Sequence, residues 1–367
     1  MRVFCSFFLI FLIGSVCAFQ AQTKPPTEEK EVIRVDTELV DVPLTVTDKT
    51  GKPILSLKKN NFAVFEDGKL QQIEEFTAIN APFEVALLLD TSGSTRADLD
   101  LIRAAARTFI NSLRPGDRVS IIAFRSVIKG DRSVSVPDVV NPLTEDRVNL
   151  RSALDRVGTG NGTPYYDALI EIADSVFKSA PREEFRGRRA LVALTDGVDS
   201  ASLSSFESAK EALSDRGVST YFININTRDF FEDKLLGDCE GAMRFSQAQL
   251  RRYYATFSRD AKLERISDFC RLGDFERLAI SKKLYELADL EMNSLAKLSG
   301  GRVFPAADLN DARAAFKEVA DDIGTRYSLG YYPTNDKRDG KFRSIRVELK
   351  GLPAGARVRA REGYTPN

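Results

Sequence analysis

The chain has 367 residues, with Lys plus Arg and Asp plus Glu balanced at 53 each and no histidine. That length allows two domains and a sizeable core, and the even charge offers no bulk attraction to nucleic acid or an anionic membrane surface. The missing imidazole excludes Ser-His-Asp and Cys-His catalysis, zinc proteases and most transition-metal sites.

Arg2 precedes an apolar stretch, Val3 to Ile13, which is followed by the small residues Gly14, Ser15 and Ala18. This is the pattern of a secretory signal peptide over residues 1–21, with cleavage after Ala18 or Ala21. The apolar run is short for a bilayer anchor, and Gly14-Ser15-Val16 ahead of Cys17 is a poor lipidation box. The mature chain is expected to be secreted, or held in the periplasm or cell envelope, without a transmembrane segment. Residues 22–31 are polar and carry Pro25 and Pro26, as a linker does. Beyond the signal only Cys239 and Cys270 remain. In an oxidising compartment they are either a disulfide or two separate buried thiols. A bridge closing a loop of about 30 residues would contribute roughly 3 kcal/mol.

Residues 32–80 read as β structure. Val32–Val35, Leu39–Val46 and Phe62–Phe65 are short β-branched or aromatic runs, and Asp48-Lys49-Thr50-Gly51 and Glu66-Asp67-Gly68 are turn signals. From Phe83 the period changes. Val85–Leu89 reads as a buried strand, and Leu99, Ile102, Ala106, Phe109, Ile110 and Leu113 mark one face of a helix. Val119–Phe124, Ala190–Leu194 and Thr220–Ile225 read as strands, and 146–157, 164–179 and 206–213 as helices. A helix over 284–298, a strand at 302–304 and a helix over 311–323 follow. This alternation predicts a doubly wound, mostly parallel α/β sheet with helices on both faces over residues 81–325. Residues 228–282 interrupt it at a length beyond ordinary loops, with a helical look from 246. Residues 326–367 return to β character at 327–332, 344–349 and 356–360. The simplest arrangement pairs this tail with residues 32–80 in one small β-sandwich, the α/β domain being inserted between them.

Three elements distant in sequence carry chemistry. Asp90-Thr91-Ser92-Gly93-Ser94 follows the first α/β strand, Gly162-Thr163-Pro164-Tyr165-Tyr166-Asp167 opens a helix, and Thr195-Asp196-Gly197 follows a later apolar strand. Ligands of such sheets bind where loops meet at the carboxyl ends of strands. One carboxylate and two hydroxyls at alternating positions give hard oxygen ligands with little charge, as a small hard cation prefers.

Asp-x-Ser-x-Ser, the Thr of the Gly-Thr-Pro turn and Thr-Asp-Gly, in that order at strand ends, resemble the von Willebrand factor type A domain. The resemblance spans about residues 81–325 and includes all three parts of that family's metal-ion-dependent adhesion site. It implies that Ser92, Ser94 and Thr163 give hydroxyl oxygens to the metal. Asp90 and Asp196 would act largely through bound water or as charge balance. The ion would be Mg²⁺, with Mn²⁺ or Ca²⁺ as alternatives, and one coordination position would accept an Asp or Glu carboxylate from a protein partner. The whole arrangement, with signal, short β segment, insertion-bearing domain and Gly-Tyr-Tyr-Pro β tail, resembles a bacterial group of secreted proteins related to this domain. The expected function is a secreted, non-enzymatic adhesion or binding module. The alternative is a structural or assembly module whose metal mainly stabilises loops.

Other conspicuous residues read as structural. Asp199 is expected to be a loop residue or a cap for the next helix rather than a further acidic ligand, and Asp167 to support the Thr163 loop. Asn161-Gly162-Thr163 matches the glycosylation pattern by chance, since a glycan there would obstruct the metal. Arg186-Gly187-Arg188-Arg189 approaches a strand, and Tyr331 and Tyr332 are strand aromatics.

Overall fold

The computed structural model describes residues 38–78, 81–92, 98–257 and 269–366. The signal peptide, the 22–31 linker, the Val32–Val35 strand and Ser94 lie outside the described residues.

The central sheet has six strands: β5 (Glu84–Leu89), β6 (Arg118–Lys129), β7 (Arg132–Thr144), β8 (Arg189–Thr195), β9 (Ser219–Ile225) and β10 (Arg302–Ala306). Their order is β10-β9-β8-β5-β6-β7, parallel except for the β6–β7 pair. β5 and β8 are buried along their whole length, and strands covered on both faces read as unbroken apolar runs. Alternate residues serve opposite faces. Val85, Leu87 and Leu89 join a core with α1 (Leu99–Ser112), α2 (Arg147–Arg156) and α8 (Leu309–Gly324). Ala86 and Leu88 join a second core with α3 (Tyr165–Glu171), α4 (Phe206–Asp215) and α7 (Asp274–Ser299). α3 runs into a π-helical turn, Ile172–Val176, within the span that the sequence predicts as one helix.

Two four-stranded sheets form the second body. One has the order β13 (Arg357–Ala360), β1 (Val40–Thr47), β11 (Tyr327–Tyr331), β4 (Ile73–Thr77). The other has the order β14 (Gly363–Tyr364), β12 (Arg343–Leu349), β2 (Phe62–Glu66), β3 (Lys69–Gln71). Each therefore mixes strands from before and after the α/β domain. Val40, Val42, Leu44 and Val46 point inward at period two and meet Phe62, Val64, Leu329 and Val347. The β2–β3 turn uses Asp67 (φ 48°) and Gly68 (φ 79°), the positive-φ pair that a two-residue hairpin requires.

The interruption after β9 is helical and built around its own core. It contains α5 (Arg228–Leu235), α6 (Gln247–Phe257) and the first part of α7. Leu235, Phe245, Leu250, Phe269, Ile280 and Leu284 pack together there, and Cys239 and Cys270 are disulfide-bonded. No helix among the described residues is long and apolar enough to cross a membrane.

Candidate metal centre

Asp90 and Asp196 follow β5 and β8, neighbouring parallel strands on either side of the switch in strand order. A crevice opens at the carboxyl ends of the strands at such a point. Sheet geometry fixes both residues. The Asp90 amide extends the ladder by donating to the Leu194 carbonyl at 2.9 Å. Its Oδ1 accepts from the Ser92 amide at 3.1 Å, and its Oδ2 accepts from the Thr195 hydroxyl at 2.9 Å. Thr195 Oγ1 accepts in turn from the Gly197 amide at 2.9 Å. Gly197 has φ 71°, and a Cβ there would meet Met292 of α7 at 3.0 Å, so a glycine is needed at this turn. Asp196 Oδ1 accepts from the Val198 amide at 2.9 Å. Asp90, Asp196 and Thr227 come together at this end of the sheet beside the apolar side chains of Ile102 and Leu309, with no open cavity between them.

The Thr163 loop reaches the same end through backbone bonds. The Gly160 amide donates to the Thr91 carbonyl at 2.9 Å. The Thr163 amide donates to Ser200 Oγ at 2.8 Å, and the Thr163 carbonyl accepts from the Ser200 amide at 3.0 Å. A Cβ at Gly160 would press on Ser135 and Phe124, which explains why the loop can come so close. Thr163 and Ser92 are both buried. Four of the five sequence-predicted site residues, Asp90, Ser92, Thr163 and Asp196, thus sit on loops stitched together at one end of the sheet, and Ser94 lies outside the described residues.

The neighbouring carboxylates have other partners. Asp199 accepts from the Tyr165 and Tyr166 amides at 2.9 and 3.3 Å and so caps the preceding helix α3, not the next one, α4, whose cap is Ser205. Asp167 accepts from the Leu203 and Ser204 amides, each at 3.0 Å. Asn161 donates to Ser133 Oγ at 3.1 Å. The basic run is structural: Arg186 pairs with Glu75 and Arg189 with Glu84, each at 3.0 Å, and Arg188 is fully buried. Tyr331 is buried, whereas Tyr332 is exposed.

Burial pushes the Asp90 carboxyl up to about 7, and the charge of Asp196 adds to the effect. Hydrogen bonds from Thr195 and Ser92 oppose it. Asp196 is raised as well, first by burial, against hydrogen bonds from Thr227 and the Val198 amide. The donor set is hard oxygen throughout, which fits Mg²⁺ and not a soft ion. Among the described residues, no three Cys, Asp or Glu side chains gather around one point. A cation here would rest on two carboxylates, hydroxyls and water, and Mg²⁺ keeps several waters in its shell.

The structure adds two residues that the sequence does not single out. The Thr227 hydroxyl, just past β9, donates to Asp196 Oδ2, and the Tyr285 hydroxyl of α7 lies 2.9 Å from Thr227 Oγ1. Thr227 had a weak signal in its place beyond the end of a central strand. Tyr285 had none.

Residues 85–198 match the family model described as the von Willebrand factor type A domain, and the chain carries that domain. No curated protein matches the chain. Among solved structures it is similar to proximal thread matrix protein 1 from the mussel byssus, at 13% identity and a TM-score of 0.41 over 71% of this chain and 51% of that one. A form of the same protein with a zinc-occupied MIDAS motif matches at 15% identity and a TM-score of 0.39, over 69% and 48% of the two chains. A von Willebrand factor type A protein from Catenulispora acidiphila matches at 13% identity and a TM-score of 0.41, over 90% and 74%. The chain spans about half the length of the mussel protein.

Proposed function

We propose that the chain is a secreted, non-enzymatic protein-binding module whose type A domain holds a divalent cation and through it recruits an Asp or Glu side chain of a partner. Mg²⁺ is the preferred ion, with Mn²⁺ or Ca²⁺ as alternatives. Asp90, Ser92, Thr163 and Asp196 would hold it, with Ser94 entering from the sequence pattern alone. The observation that carries this reading is the placement of Asp90 and Asp196 at the carboxyl ends of neighbouring strands, on either side of the sheet's switch point and close enough for the charge of one to act on the other. Buried Asp90 and half-buried Asp196 both have raised proton affinity, Asp90's in part through the charge of Asp196, and are poised to exchange protons for a cation. When bound, the ion would supply an electrophilic centre for an incoming carboxylate. The protein's part is to aim the oxygens, through Thr195 on Asp90 and through Thr227 and Val198 on Asp196. Export is supported by the apolar run Val3 to Ile13 and by the Cys239–Cys270 bond, which persists in oxidising compartments.

Calorimetric titration of Mg²⁺ into the purified chain tests the reading. Saturable uptake that disappears in Asp90→Ala is expected. No uptake, or unchanged uptake in that variant, would overturn it.

One observation favours a structural or assembly role instead. Val198, next to the Asp196 loop, is part of the insertion's core, so a cation could mainly stiffen this junction. Under that reading, chelation lowers the thermal midpoint but leaves capture of partner proteins intact.

A further inference from the structure

α7 lays one face across the end of the sheet that carries the candidate metal centre. Tyr285, Asp289 and Met292 fall at i, i+4 and i+7, the spacing of a single helix stripe. Met292 packs under Gly197, and Asp289 Oδ1 accepts from Asn224 Nδ2 at 2.7 Å. One turn earlier, Tyr285 meets Thr227, which donates to Asp196. A threonine hydroxyl carries one proton. If Thr227 gives it to Asp196, the Tyr285 hydroxyl must donate to Thr227 Oγ1. The order is therefore Tyr285 to Thr227 to Asp196. Asp196 Oδ1 is already engaged by the Val198 amide, so the relay fixes the second oxygen and with it the carboxylate plane.

We propose that Thr227 and Tyr285 are positioning residues of the metal centre, forming a hydroxyl relay by which the helical insertion holds Asp196 in its cation-binding orientation. This rests on the metal-binding reading above and deepens it. The insertion then does more than occupy space beside the domain: the affinity of the centre depends on how α7 is seated. Partners one step removed from a metal ligand commonly govern affinity in this way, and their loss typically costs about 10–100-fold.

The test is Mg²⁺ calorimetry on the full mature chain and on four single variants, with Asp90→Ala as the reference for loss of the centre. Thr227→Val keeps the shape and removes the hydroxyl, and is expected to weaken binding about tenfold or more. Tyr285→Phe removes the first donor and is expected to weaken binding in the same direction. It also decides the matter should Thr227→Val fail to fold. Thr227→Ser restores the hydroxyl and should bind within about twofold of the parent. Asn224→Ala breaks a different bond between α7 and the sheet and should also stay within about twofold, because a general loosening of α7 is not the proposed cause. Parent-like affinity in both Thr227→Val and Tyr285→Phe would overturn the relay while leaving the metal centre standing. An equal loss in Asn224→Ala would overturn it too, in favour of simple docking. No uptake by the parent chain would overturn the metal-binding reading and the relay together.

Discussion

The Thr195 hydroxyl donates to Asp90 Oδ2 at 2.9 Å, so the residue just before one candidate ligand clamps the other. The same oxygen accepts the Gly197 amide that shapes the turn around Asp196. Thr195→Val leaves a buried carboxylate oxygen without this donor and a buried amide without this acceptor. The expected cost is about 1–3 kcal/mol in urea denaturation of the metal-free protein, recovered in Thr195→Ser. A valine variant within about 0.5 kcal/mol of the parent would show that the bond adds little.

Asp41, in β1 beside Gly187, supplies a pH dependence separate from the metal site. Burial pushes its carboxyl up to about 7, against the lowering charges of Arg186 and Arg361. The folded state therefore holds a proton that the unfolded chain releases near 4. Stability from this group is full below pH 4 and is lost as pH rises through 7. Asp41→Asn imitates the neutral form and can still accept from the Gly187 amide. Its thermal midpoint should exceed that of the parent at pH 8, with a smaller gap at pH 4.5. A gap of equal size at both values would remove Asp41 as the cause.

The Cys239–Cys270 bond closes a loop of sequence separation 31 around α6. In the chain-entropy account, such a loop contributes roughly 3 kcal/mol. The insertion has its own core, so the effect of reduction should be local. Hydrogen exchange after reduction is expected to rise in α6 and the first turns of α7, and to stay unchanged in β5 and β8. Equal acceleration in the central strands would mean that the insertion and the sheet unfold as one unit.

Features set by local chemistry were legible in the sequence. β5 announced itself as a buried strand because both its faces meet apolar helices, and the Asp90 and Asp196 positions followed from strand ends that periodicity locates. β7 was missed: its alternation is interrupted by Pro137 and Pro142, and it lies at the sheet edge, where only one strand pairs with it. β3 and β4 are too short or too polar to stand out. α7 begins at Asp274, ten residues before the predicted start, because it buries one side against the insertion and another against the sheet. That double burial spreads apolar residues around the helix and blurs its period. The link from Tyr285 to Asp196 depends on where the insertion docks, a relation between distant segments that no spacing encodes.

In the β-sandwich, Glu66 and Tyr331 join strands from opposite ends of the chain. Glu66 Oε2 accepts from the Tyr331 hydroxyl at 2.6 Å and from the Tyr364 hydroxyl at 3.0 Å. Arg343 lies 3.5 Å from Oε1, and Arg343 and Glu66 are buried to 3% and 2% exposure. Tyr331 belongs to one sheet and Glu66 to the other, so this bond crosses the sandwich interior. A hydrogen bond to a charged group contributes about 1.5–3 kcal/mol, and removing the donor leaves the buried acid with one fewer partner. Tyr331→Phe, which keeps the ring in the core, is therefore expected to lower stability by that amount. A double-mutant cycle with Glu66→Gln isolates the contact, because any packing change at the ring is common to both backgrounds. Strict additivity in that cycle would mean that the hydroxyl and the acid do not cooperate, and that the apolar core alone holds the two ends of the chain together.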